Sequence, residues 1–392
     1  MEQQISSSFF DTYYERRGTG SAKWSKDAGF GAGERIPMWI ADMDFKAPPE
    51  VGEALERAAK EAIFGYAFPE ERFKEAVTEW FRREHGWEFP KGAIYMVPTV
   101  IYGMVAALRA VSAPGEGVII LEPVYHPFRR VVEANRRRLV VSELREIGGR
   151  YEIDFEDFEA KVKENSVKAL IFCSPHNPVG RVWTEEELKK VGEVCEKYDV
   201  KIIVDEIHSD FHFEGRKHIA FPKGSPETAD RTVVLTAPTK TFNLAGIQGA
   251  HLIATNEALR QHCMEEGMAN GYYTPNTMAL VATEAAYKAG SAWVRELRKY
   301  LQGNLDLVRE ALEPIEGVSL IEPEGTYLLW LDFRAQKCPA KEWKEKLSKG
   351  ARLWLNEGEQ FGTGGAGFMR MNIACPRSTL QIALERLAGA FK

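Results

Sequence analysis

Short apolar runs and amphipathic stretches alternate along most of this chain. Before the alternation begins, the first residues show no regular period, and Gly18, Gly20, Gly29, Gly31 and Gly33 lead to the segment Pro37-Met38-Trp39-Ile40-Ala41-Asp42-Met43-Asp44-Phe45. Two helical patterns follow, over 48–63 and 70–85. Pro49 sits near the start of the first, where its missing N–H costs nothing. Then the period switches. Strands over 93–97, 117–121, 138–141, 167–173, 200–204, 232–236 and 251–254 are interleaved with helices over 100–111, 127–134, 154–162 and 184–198. Thr184, with Glu187 three residues on, opens the last of these helices as a capping box. This alternation predicts an α/β fold built on a mostly parallel sheet with helices on its faces.

After Pro275 the texture changes. Helices over 277–288, 293–312, 340–349 and 378–390 surround strands over 327–333 and 368–373, the pattern of a smaller α+β domain. The expected organisation is a large domain over 48–288 and a small C-terminal domain over 289–392, with the segment 1–47 packing beside the small domain. The long helix near 293 reads as the joint between packed domains.

Composition narrows the class. With 392 residues, 44% hydrophobic and 28% charged, the chain is an ordinary globular protein, and two domains are the natural expectation. A net charge of -6 with no basic domain predicts no nucleic-acid partner. The run Arg136-Arg137-Arg138 reads as a solvated face after a helix. No secretory signal and no membrane span is visible, and the five scattered cysteines form no close pair. A reduced, cytoplasmic protein is the expectation.

Two motifs are decoys. Gly362-Thr363-Gly364-Gly365-Ala366-Gly367 matches the dinucleotide fingerprint literally, but a strand follows it where a helix is needed, so it reads as a flexible loop. His208 and His212 stand four apart as in zinc helices, yet no Glu follows His208 and the context is a loop. No metal is expected.

The candidate chemistry lies at strand ends, where ligands gather in α/β sheets. Lys240 follows the apolar run ending at Thr236, so it reaches the rim of a core, where desolvation favours a neutral, nucleophilic amine able to form a Schiff base. Asp205 directly follows an apolar strand and needs a cationic partner. Tyr125 places an aromatic ring at the rim, and Asn177 sits in the stiff turn Ser174-Pro175-His176-Asn177-Pro178, where its amide can bond a phenolate-type oxygen. Val100 and Ile101 open a helix whose free N–H groups suit a phosphate, although Thr99 there also reads as a plain N-cap. An amine, an anion for a ring nitrogen, an aromatic platform, a phosphate cradle and an amide together describe a site for pyridoxal 5′-phosphate.

On Phe64-Gly65-Tyr66, Ser174-Pro175-His176-Asn177-Pro178, Asp205-Glu206-Ile207-His208-Ser209-Asp210, Ala237-Pro238-Thr239-Lys240-Thr241-Phe242-Asn243 and Gly367-Phe368-Met369-Arg370-Met371-Asn372, with the Pro37–Phe45 segment, the chain resembles the fold-type I pyridoxal-phosphate superfamily of class I/II aminotransferases. It looks most like the MalY/PatB-type branch of cystathionine β-lyases and cysteine C–S lyases. The resemblance implies that Lys240 carries the cofactor and shuttles the Cα proton, Asp205 pairs with the ring nitrogen, Tyr125 stacks and helps catalysis, and Asn177 bonds the ring oxygen. It further implies phosphate contacts from Val100, Ile101 and Thr239, and from Tyr66 to the neighbouring subunit, hence a homodimer with shared active sites. His208 stands beside the cofactor, where aminotransferases usually have tyrosine, and Ala237 replaces a frequent phosphate-loop serine. Arg370 would clamp the carboxylate of a small amino-acid substrate, with Ala41 against it. The implied reaction is α,β-elimination from an S-substituted L-cysteine; the alternative is an aminotransferase. A partner-binding regulator on the same fold would need a surface that sequence does not reveal.

Overall fold

The apolar runs of the chain's centre pair into one seven-stranded sheet in a computed structural model that describes residues 7–25 and 35–391. Gly29, Gly31, Gly33 and the extreme N-terminus therefore lie outside the described residues. The strands are β1 Ile94–Val97, β2 Gly117–Glu122, β3 Arg138–Glu143, β4 Val167–Cys173, β5 Lys201–Asp205, β6 Thr232–Thr236 and β7 Ala250–Ile253. They lie in the order β1-β7-β6-β5-β4-β2-β3, and β7 alone runs antiparallel to its neighbours. Every residue of β2, β6 and β7 is buried, as a sheet covered on both faces requires. Side chains alternate between two cores. Val118 and Ile120 pack on one face with Met104 and Leu108 of the helix Val100–Val111. Ile119 and Leu121 pack on the other with Leu188 and Val191 of the helix Glu185–Lys197. The capping box at Thr184 forms, with Glu187 N–H donating to Thr184 Oγ1 at 3.2 Å and Thr184 N–H donating to Glu187 Oε2 at 2.8 Å.

A second, four-stranded antiparallel sheet follows: β8 Ser319–Ile321, β9 Leu328–Asp332, β10 Asn356–Glu357 and β11 Phe368–Asn372, in the order β8-β9-β11-β10. The helix Ser291–Leu312 leads into it and buries Trp293, Leu297, Tyr300, Leu301 and Val308, an apolar stripe at helical spacing. Ile36-Pro37 pairs in parallel with Leu353-Trp354, which ties the N-terminal segment to this half of the chain.

Two sequence expectations need correction. Arg137 is not on a solvated face: it is buried, donating from Nε to Ser112 Oγ at 3.0 Å and from Nη1 to the Asn135 carbonyl at 2.7 Å. A guanidinium tolerates burial when acceptors at a helix end take its protons; Arg136 and Arg138 stay exposed. The Gly362–Gly367 loop leads into a strand as expected, but it is not loose. Thr363 N–H donates to Glu122 Oε2 at 2.7 Å, and Gly362, at φ +96°, leaves no room for a Cβ beside that carboxylate. The helix Glu257–Ala269 and the hairpin Arg145–Ile147/Arg150–Glu152 are further elements that the periodicity did not single out.

Candidate active site

Because β1, β2, β4, β5 and β6 run the same way, their carboxyl ends share one edge of the sheet. A cavity of about 370 Å³ opens there, and it brings together Lys240, Asp205, Asn177, Tyr125, His208, Val100, Ile101, Thr239, Arg370 and Ala41. Tyr66 is elsewhere. It is 93% exposed and lines no part of this cavity, in a stretch where Ile63, Phe64 and Phe68 are exposed too.

Lys240 rides on the short helix Pro238–Thr241, which begins where β6 ends. Its Nζ donates to the Ala41 carbonyl at 2.5 Å. Burial pushes the ammonium down to about 8, against the opposing pull of Asp42. The segment that supplies Ala41 is fixed by Asn243, whose Oδ1 accepts from Met43 N–H at 3.1 Å and whose Nδ2 donates to the Phe45 carbonyl at 2.7 Å. The next residue along from the lysine is anchored from behind. Thr241 Oγ1 donates to Asp210 Oδ2 at 2.6 Å, and the buried Asp210 also meets His85 Nε2 at 2.9 Å.

Asp205 ends β5 and is buried. Its Oδ1 accepts the Ile207 N–H at 3.1 Å, and among the described residues no cation comes within ion-pair distance. Burial without a partner pushes the carboxyl up to about 7. An anion placed so expensively calls for a cationic ligand.

Arg370, in β11, projects from the second sheet into the same cavity. Nη1 donates to Asn177 Oδ1 at 3.0 Å, and Nη2 to the Trp39 carbonyl at 2.8 Å and Asn356 Oδ1 at 2.6 Å. Its buried Nε has no hydrogen-bond partner among the described residues. A guanidinium held by three fixed acceptors and keeping two donors, on Nε and Nη1, suits a carboxylate ligand. Because Asn177 gives Arg370 its oxygen, its Nδ2 remains as a donor for a ligand. Burial drives His208 down to about 3, so its ring is neutral, and it packs edge-on against Tyr327 with centroids 5.6 Å apart. Burial raises the Tyr125 phenol. Thr99 is an N-cap, its Oγ1 accepting from Tyr102 N–H at 3.1 Å, and the N–H groups of Val100 and Ile101 in the first turn lack intrahelical acceptors.

Sequence reasoning missed Trp39, Asn356 and the pair Asp210–His85. Trp39 and Asp210 lay inside quoted motifs without a role, because their contacts come from segments 331 and 125 residues away. Asn356 carried no local signal; only the pairing of β10 with β11, Asn356 opposite Arg370, brings it in.

Residues 36–387 match the family described as aminotransferase class I and II. The chain is 40% identical over 383 residues to cystathionine β-lyase PatB of Bacillus subtilis (strain 168), covering 97% of this chain and 99% of that one. It is 31% identical to protein MalY of Escherichia coli (strain K12), covering 98% of each. Among solved structures, cystalysin of Treponema denticola, which contains a pyridoxal 5′-phosphate cofactor, superposes with a TM-score of 0.93 at 37% identity, over 97% of this chain and 98% of that one.

Proposed function

The chain belongs to the aminotransferase class I and II family, and we propose that within it the protein is a pyridoxal-phosphate-dependent carbon–sulfur lyase, cleaving S-substituted L-cysteines to a thiol, pyruvate and ammonia. One observation carries the cofactor: a single cavity holds a lysine amine lowered to about 8 and a buried carboxylate that, among the described residues, has no cation within ion-pair distance. Full-length likeness to cystathionine β-lyase PatB supports elimination as the outcome.

The residues fit the cofactor by donor and acceptor. Lys240 would hold its aldehyde carbon, Asp205 its protonated ring nitrogen and Asn177 Nδ2 its ring oxygen, with Tyr125 and His208 beside the ring. The N–H groups of Val100 and Ile101, with Thr239, would take the phosphate. When bound, the cofactor supplies a sink for the electron pair left as the Cα–H bond breaks. The protein's part is placement and proton movement. Arg370 grips the substrate carboxylate, and its hydrogen bonds to Asn177, Asn356 and Trp39 fix the angle of that grip. Lys240 Nζ takes the Cα proton. The thiolate leaves Cβ and receives a proton from Tyr125 or Lys240.

Tyr66 and its exposed apolar neighbours suit the face of a homodimer that completes each phosphate site from the partner. We divide the chain into a cofactor domain over 48–288 and a small domain over 289–392, with 1–47 beside the latter. Five free cysteines suit a reducing cytoplasm, and no described helix is long and apolar enough to cross a membrane.

The test is turnover without an acceptor. With L-cystathionine or S-methyl-L-cysteine alone, the cofactor-loaded protein is expected to release pyruvate and thiol continuously. Turnover that begins only when a keto acid is added would make the protein an aminotransferase instead.

A further inference from the structure

Resting on the lyase reading, we propose that the groove beyond the Lys240 cavity is the subsite for the sulfur substituent, and that it selects apolar, ring-bearing substituents over the second amino-acid head group of cystathionine. This groove has a volume of about 530 Å³ and adjoins the cavity, with Trp39, His126 and Asn356 lining both. Asn356 also holds Arg370, so the groove begins beside the place where the substrate carboxylate binds.

Its floor is apolar, while Lys341, Lys344, Glu345, Glu357 and Gln360 stand around it. Leu353, Leu355 and Met369 are buried beneath it. The Trp39 and Trp354 rings stack with centroids 4.6 Å apart and planes 10° from parallel, making a flat aromatic flank at the junction of cavity and groove. An aryl or branched alkyl substituent gains there from burial and from ring contact.

The charges around the groove are already satisfied. Lys344 pairs with Glu357 at 2.7 Å and with Glu359 at 2.8 Å, and Glu345 pairs with Lys349 at 3.2 Å. Asn356 donates to Gln360 at 3.1 Å while accepting from Arg370. Only Lys341, at the exposed rim, has no ion pair among the described residues. The head group of cystathionine brings an ammonium and a carboxylate together. Both would lose water against the apolar floor; Lys341 at the rim offers a partner to the carboxylate alone, and the carboxylates lining the groove, Glu345 and Glu357, are already paired.

The test compares kcat/KM of the holoenzyme, without keto acid, for S-benzyl-L-cysteine, S-methyl-L-cysteine and L-cystathionine. Alongside it, inhibition constants are measured for 3-(benzylthio)propionate and 3-(methylthio)propionate, which lack the α-amine and bind without reacting. S-benzyl-L-cysteine is expected to exceed cystathionine by about tenfold or more, and the benzylthio acid to inhibit at about tenfold lower concentration than the methylthio acid. Trp39→Ala should shrink both preferences to about twofold, and Trp39→Phe should restore them. Where Trp39→Ala does not fold, the inhibition constants of the unaltered protein decide. Cystathionine matching S-benzyl-L-cysteine, or equal inhibition by the two acids, overturns the proposal. Absence of pyruvate from every thioether would sink the lyase reading instead, and the inhibition constants would still judge the groove.

Discussion

Lys240→Ala is expected to lower turnover of an S-substituted cysteine by on the order of 10²–10⁴-fold, the usual worth of a positioned general base. In the proposed mechanism one amine performs two tasks, holding the cofactor and taking the Cα proton, and no neighbour can replace it. The other groups at that edge are a carboxyl, a phenol, an amide and a neutral imidazole, and Arg370 stays protonated at neutral pH even though burial lowers it to about 10. The loss should not come from unfolding. Lys240 Nζ makes one hydrogen bond, to the Ala41 carbonyl, and removing a partly desolvated ammonium relieves a cost. Steady-state rates together with a thermal melt check this. Activity within about tenfold of the unaltered protein would take Lys240 out of the chemistry.

Asp205→Asn should separate two effects of opposite sign. With cofactor bound, the variant is expected to turn over about a hundredfold more slowly, since a carboxylate at a ring nitrogen shifts its protonation by roughly two units. Without cofactor, the variant should be the more stable protein at alkaline pH. Burial raises the Asp205 pKa to about 7 in the folded chain, above its unfolded value of about 4. Between those values the native state binds more protons than the unfolded state, so stability falls as pH rises through the window and levels above about 7. Asparagine does not titrate. Cofactor-free melts at pH 5 and pH 8 should therefore show the variant gaining on the unaltered protein, by on the order of 2 kcal/mol at the higher pH. A variant destabilised at pH 8 with near-normal turnover would show that Asp205 is structural.

Much of this was legible in the sequence, for definite reasons. Short continuous apolar runs rich in valine and isoleucine named every strand of the large sheet, because strands buried on both faces have no polar side to show. Parallel strands then forced Tyr125, Asn177, Asp205 and Lys240 onto one edge, so local reading sufficed for most of the site. What stayed hidden depends on distant contacts. Arg137 reads as a surface charge until Ser112 and Asn135 arrive to accept its protons. Asp210 reads as one more polar loop residue until His85 and Thr241 close around it. The substituent groove is invisible for the same cause: Trp39 and Trp354 meet only because Ile36-Pro37 pairs with Leu353-Trp354. Pairing between remote short segments leaves no periodic trace in either one. Tyr66 stays exposed and lines no part of the cavity, so a single chain gives it no role.

The role of Lys240 is tested most directly by trapping. The purified, cofactor-loaded protein is treated with borohydride, which makes a lysine–cofactor bond permanent, and its peptides are read by mass spectrometry. A pyridoxyl-phosphate adduct on the peptide containing Lys240, and on no other lysine, is the predicted result. An adduct on another lysine, or cofactor that washes away after reduction, would contradict it.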